Sequence, residues 1–121
     1  MSYRILIVDD NPTNLKLAGD LLESEGMEVH RAIDAESAFT MAQHVLPELI
    51  LMDVALPGMD GLTLTKILKG REDTKGITIV ALTAFAMKGD QEKIMAAGCN
   101  GYITKPIDTR KLKEQITQYL Q

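Results

Sequence analysis

Short apolar segments alternate along the chain with longer segments that carry apolar residues at helical spacing. Most of the short segments are four to six residues long and rich in isoleucine, leucine and valine, which is typical of strands buried on both faces of a sheet. In the longer segments apolar residues recur every three or four positions, which predicts helices with one buried face. We predict strands at residues 4–8, 28–32, 48–53, 77–82 and 101–104.

Residues that favour helix ends lie between these strands. Asn11 followed by Pro12 predicts a helix start, with Asn as the N-cap and Pro in the first turn, and Gly26 predicts the end of that helix. The predicted helices lie between Pro12 and Gly26, after Asp34, after Gly61, from Lys88 to Gly98 and after Asp108. This alternation predicts one doubly wound α/β sheet of five parallel strands, with five helices covering both faces.

Composition narrows the class of protein. The chain has 121 residues, which fits one domain spanning residues 1–121. Its net charge of -4 and pI of about 5.1 argue against nucleic acid as a partner, because phosphate binding needs a basic face. No apolar run is long enough to cross a membrane, the N-terminus shows no signal peptide, and Cys99 has no second cysteine to pair with. We therefore expect a cytoplasmic protein with no membrane partner.

Chemically reactive side chains stand where the predicted strands end. Asp9–Asp10 follow the first strand, Asp53 ends the third, Thr83 follows the fourth and Lys105 follows the fifth. Each residue alone has an ordinary explanation, such as a helix cap, a turn or a solvated charge. In a parallel sheet these ends meet at one edge, where ligands bind. We therefore expect the four positions to form one site.

The chemistry of such a site follows from its charges. Three carboxylates close together repel one another, and burial strengthens the repulsion, so a cation is needed. Hard oxygen ligands that leave room for water and phosphate suit Mg²⁺, which would neutralise an incoming phosphoryl group. Asp53 is then a candidate nucleophile that forms an aspartyl phosphate. Lys105 and the Thr83 hydroxyl are candidates to contact the phosphoryl oxygens.

At these residues the sequence resembles the receiver domains of two-component response regulators over essentially its whole length. The resemblance rests on Asp9–Asp10, on Asp53 in Leu-Met-Asp, on Pro57 and Gly61, on Thr83–Ala84 and on Lys105–Pro106. The sequence looks closest to stand-alone receivers of the DivK type through residues 83–90 and 102–107. Residues 10–14 also resemble receivers fused to hybrid histidine kinases. Each motif is weak alone, but the ordered set is highly specific.

The resemblance implies the flavodoxin-like receiver fold, with strand order 2-1-3-4-5, and a phosphorylation site. Asp53 would take a phosphoryl group from a phosphohistidine on a sensor histidine kinase or a histidine phosphotransferase. Asp10 and Asp53 would bind Mg²⁺, with Asp9 contributing through water and the Ala55 backbone carbonyl completing the site. The protein would be a phosphorelay signalling protein that catalyses only its own phosphorylation and dephosphorylation.

The resemblance also implies a switch. Thr83 and Tyr102 would form a pair in which the hydroxyl moves toward the phosphate and the aromatic ring turns inward. The fourth helix, fifth strand and fifth helix would shift together and present a binding face to a downstream protein. The Lys105–Pro106 peptide bond would be cis, and Phe85 would control the access of water to the phosphoryl group.

Two other classes of protein fit part of the pattern. A phosphatase of the haloacid dehalogenase type also uses a strand-end aspartate and Mg²⁺, but Asn11 stands where its second acid belongs. A flavodoxin-like mononucleotide binder would need a phosphate-binding loop after the first strand, where this chain has two acids. The start at Met1 favours a free regulator over a receiver cut from a hybrid kinase, and the sequence leaves the cognate kinase and the target open.

Overall fold

Five parallel strands form one sheet in the order β2-β1-β3-β4-β5, as expected for the doubly wound receiver fold. The structure is a computed structural model and describes residues 3–120. The elements are β1 Arg4–Val8, α1 Pro12–Ser24, β2 Glu28–Ala32, α2 Ala35–Val45, β3 Leu49–Asp53, α3 Gly61–Lys69, β4 Thr78–Thr83, α4 Lys88–Ala96, β5 Gly101–Thr104 and α5 Leu112–Leu120. None of these helices is long and apolar enough to cross a membrane.

The central strand β3 is buried along its whole length and divides the core into two layers. Because successive side chains of a strand point to opposite faces, Ile50 and Met52 belong to one apolar cluster with residues of α2, α3 and α4. Leu49 and Leu51 belong to a second cluster with residues of α1 and α5. Burial on both faces fixes the register of β3 and therefore the position of the aspartate at its end.

The helix ends follow the local signals in the sequence, with one exception. The Asn11 side chain accepts hydrogen bonds from the backbone N–H groups of Thr13 and Asn14, and the Asp34 side chain caps α2. The exception is the last helix, which begins at Leu112 and not directly after Asp108. The Asp108 carboxylate accepts from the Arg110 N–H at 2.9 Å, so it closes a local turn that delays the helix.

Gly61 is the first residue of α3 and packs against the end of β3. Its backbone N–H donates to the Val54 carbonyl at 3.1 Å. A Cβ atom at this position would overlap the carbonyl oxygen of Asp53 and would lie 2.9 Å from Cγ of Met52. The close approach of α3 to β3 therefore requires a residue without a side chain.

We expect Gly61→Ala to lower the free energy of unfolding by about 3 kcal/mol, because the new methyl group must push apart two backbone segments. Urea denaturation followed by circular dichroism measures the effect. Gly89→Ala in α4 is the matched control, since a Cβ there meets nothing within 4 Å and should add about 0.5 kcal/mol of stability. Equal effects of the two substitutions would contradict the steric explanation.

Candidate functional site

The four strand ends singled out in the sequence converge at the carboxyl edge of the sheet. Asp53 is the last residue of β3 and Thr83 the last of β4. One carboxylate oxygen from each of Asp9, Asp10 and Asp53 lies within 4.8 Å of the others. Asp9 and Asp53 are each only 1% exposed, whereas Asp10 is exposed. The parallel arrangement thus gathers acids that are far apart in sequence.

Asp53 is held on both oxygens of its carboxylate. Oδ1 accepts a hydrogen bond from the Ala55 backbone N–H at 3.0 Å, and Oδ2 lies 3.0 Å from Nζ of Lys105. The loop that follows is fixed by backbone hydrogen bonds from Val54 to Leu82 and from Gly61 to Val54. Asp53 is therefore a buried, oriented carboxylate with a cation beside one oxygen.

Asp9 is buried, which makes its charged form costly. Burial raises the pKa of Asp9 above its ordinary value; the Asn11 N–H opposes this rise, the charge of Asp53 adds to it, and Lys105 and Asn14 oppose it. Oδ1 of Asp9 accepts from the Asn11 N–H at 2.9 Å, and Oδ2 accepts from Nδ2 of Asn14 at 3.2 Å. The sequence did not predict the contact of Asn14, because it depends on how α1 is rotated relative to the end of β1.

The donor set fits a hard divalent cation. Three carboxylates converge at this edge and one ammonium group, that of Lys105, lies among them at 3.0 Å from Asp53 and 3.9 Å from Asp9. The ionised groups therefore leave an excess of negative charge next to two buried acids. Oxygen ligands and excess negative charge are what Mg²⁺ sites provide.

Thr83 ends β4, whereas Tyr102 lies opposite Ala81 within β5, and no hydrogen bond joins their side chains in the described part of the chain. The Thr83 hydroxyl donates to the Phe85 carbonyl at 2.8 Å and accepts from the Phe85 N–H at 3.0 Å. Tyr102 is half-buried against the core that contains α4. The Lys105–Pro106 peptide bond is cis, which confirms that expectation.

Comparisons with known proteins agree with this geometry. The family model described as the response regulator receiver domain matches residues 5–117. The polar-differentiation response regulator DivK of Brucella ovis is 45% identical over 120 residues, which cover 99% of this chain and 98% of that protein.

Solved structures share the fold. The chemotaxis response regulator CheY4 of Vibrio cholerae has a TM-score of 0.94 at 26% identity, with 99% of this chain and 100% of that chain covered. The receiver domain of the sensor histidine kinase PA1611 from Pseudomonas aeruginosa PAO1 has a TM-score of 0.89 at 33% identity, with 99% and 98% covered. That structure is described with a magnesium ion coordinated in the active site cleft.

The raised pKa of Asp9 predicts a pH-dependent stability. The folded protein binds the Asp9 proton more tightly than the unfolded chain does. The stability that this proton contributes is therefore fully present below the pKa of the unfolded chain and is lost as the pH rises through the pKa of the folded protein. We expect Asp9→Asn to gain stability relative to wild type in metal-free buffer as the pH rises above the ordinary titration range of an aspartate. Urea unfolding at several pH values measures the difference.

The control is Asp20→Asn, which removes an exposed acid from α1. Across the same pH series, the free energy of unfolding of Asp20→Asn should not rise relative to that of wild type. Added Mg²⁺ should shrink the advantage of Asp9→Asn, because metal binding stabilises the wild-type protein. A stability difference that does not depend on pH would contradict an electrostatic cost at Asp9.

Proposed function

The chain belongs to the response regulator receiver domain family of two-component signalling, and we propose that it accepts a phosphoryl group on Asp53. The donor is the phosphohistidine of a sensor histidine kinase or of a histidine phosphotransferase. The observation that carries the proposal is the buried Asp53 carboxylate, with Lys105 at 3.0 Å and two further acids within 4.8 Å of its oxygen. The protein works in the cytoplasm as a response regulator and catalyses no reaction besides its own phosphorylation and dephosphorylation.

The transfer uses groups that the site already holds in place. An oxygen of Asp53 attacks the phosphorus atom, the bond from phosphorus to the histidine nitrogen breaks, and the freed imidazole takes a proton. Lys105 moves its ammonium group from the Asp53 carboxylate to the oxygens of the transferred group. Asp10, Asp53 and the Ala55 carbonyl would hold Mg²⁺ directly and Asp9 through water. When bound, the ion neutralises the charge of the phosphoryl group.

The Thr83 hydroxyl couples the phosphoryl group to the loop before α4. Its one proton is donated to the Phe85 carbonyl and cannot be donated to a phosphoryl oxygen at the same time, so phosphorylation removes this bond and loosens the loop. The side chains of Phe85 and Met87 are 70% and 76% exposed. Tyr102 then turns inward into the space that Thr83 leaves.

Helix α4 is suited to move. Ile94 is its one buried residue, and Met87 at its N-cap makes no side-chain capping hydrogen bond. A helix with few buried contacts shifts at low cost in free energy. The face formed by α4, β5 and α5 therefore presents two arrangements, and the downstream protein binds the phosphorylated one.

Intact mass after incubation with acetyl phosphate tests the acceptor directly. We expect wild-type protein with Mg²⁺ to gain one phosphoryl group that is labile to base, and Asp53→Asn to gain none. Asp60→Asn is the matched control, because Asp60 is an exposed N-cap acid of α3 and its loss should leave the gain unchanged. An equal gain in Asp53→Asn would refute the assignment.

The rate of dephosphorylation tests the role of Phe85. We expect Phe85→Glu to lose its phosphoryl group several-fold faster than wild type, because a carboxylate replaces an apolar ring and can bind water beside the site. Met87→Glu, at a residue that is also highly exposed, should change the rate much less. Phosphorus NMR of the phosphorylated protein gives both rates, and an unchanged rate in Phe85→Glu would remove Phe85 from the mechanism.

A further inference from the structure

Asn14 lies in the first turn of α1, where its amide makes a contact that the helix itself does not need. Asparagine is a weak helix former, because its side chain competes with backbone hydrogen bonds. Here the side chain is half-buried, and Nδ2 donates to Oδ2 of Asp9 at 3.2 Å. Since a carboxylate can only accept, the amide must present its nitrogen to Asp9.

The contact between Asn14 and Asp9 bears on which acid forms the ion pair with the Lys105 ammonium group. The Lys105 ammonium group lies 3.0 Å from Oδ2 of Asp53 but 3.9 Å from Oδ2 of Asp9. The other oxygen of Asp9 accepts from the Asn11 N–H. Without the Asn14 donor, Oδ2 of Asp9 would still have the ammonium group of Lys105 at 3.9 Å, within reach of an ion pair. Opposite charges attract strongly in a buried site, so the two groups would close up.

We propose that Asn14 is a positioning residue that keeps Asp9 and Lys105 apart. By holding Oδ2 of Asp9, Asn14 leaves that carboxylate available to a divalent cation and leaves the Lys105 ammonium group with Asp53. Lys105 lies 3.9 Å from Asp9, and a closer approach would place the ammonium charge directly beside this carboxylate, where it would repel a divalent cation. The inference rests on the proposed function and deepens it, because it assigns a residue outside the acidic cluster to the formation of the metal site.

The test measures Mg²⁺ affinity by isothermal titration calorimetry on the full chain. Asn14→Leu has nearly the same shape but no donor, and we expect it to weaken Mg²⁺ binding by about tenfold, as is usual when a residue that orients a metal ligand is removed. Asn14→Ala should give the same loss. Thr13→Val, at an exposed neighbour in the same helical turn, should bind Mg²⁺ like wild type.

A double-mutant cycle separates positioning from general support of the fold. In a Lys105→Met background the ammonium group is gone, so Asp9 has no cation to join and Asn14→Leu should cost little Mg²⁺ affinity. An equal loss of affinity in both backgrounds would overturn the proposed separation of Asp9 and Lys105. A lowered melting temperature with unchanged Mg²⁺ affinity in Asn14→Leu would show a purely structural role and would also overturn it.

The outcomes distinguish this inference from the proposed function. Wild-type protein that binds Mg²⁺ and is phosphorylated on Asp53, together with unchanged Mg²⁺ affinity in Asn14→Leu and Asn14→Ala, would overturn the role of Asn14 alone. Wild-type protein that binds no Mg²⁺ would overturn both. We expect the two Asn14 variants to bind Mg²⁺ more weakly than wild type. In the Lys105→Met background, we expect the protein with and without Asn14 to bind Mg²⁺ equally well.

Discussion

Mutual repulsion among carboxylates at one edge of the sheet is the constraint on which the rest of the structure depends. Asp9 and Asp53 are buried beside Asp10, and an uncompensated charge in such a place costs several kcal/mol. Lys105 offsets part of this cost, and backbone N–H groups at the strand ends offset more. The remaining excess of negative charge favours a divalent cation.

Burial of the apolar core offsets the electrostatic cost of the carboxylates at this edge of the sheet. Strand β3 is covered by helices on both faces, so its register cannot slip without exposing a whole row of apolar side chains. Its last residue therefore stays beside the residues that follow β1 and β5. Gly61 completes the arrangement, since the absence of its side chain lets α3 begin directly beneath the Asp53 carbonyl. The electrostatic site is thus positioned by parts of the molecule that carry no charge.

The sequence was sufficient for what depends on periodicity and on the geometry of parallel sheets. Runs of apolar residues predict the strands, and parallel order places Asp9, Asp53 and Lys105 at one edge whatever their separation in the chain. Contacts between side chains from different segments were not predictable in this way. In the sequence Asn14 looks like any polar residue of a helix, and its contact with Asp9 depends on the exact rotation of α1. Lys69 similarly donates to the Asn100 side chain 31 residues away.

On the proposed mechanism, the hydrogen bonds of Thr83 determine how complete the switch is. The hydroxyl has one proton, so it cannot donate both to the Phe85 carbonyl and to a phosphoryl oxygen. Neutral hydrogen bonds contribute about 1 kcal/mol each, and one to a charged group about 1.5–3 kcal/mol. Exchanging one bond for the other therefore favours the switched state by about 0.5–2 kcal/mol, or roughly two- to thirtyfold, and Lys105 and the repacking of Tyr102 supply the rest of the shift. A weakly anchored α4 keeps the opposing cost small enough for these contributions to suffice.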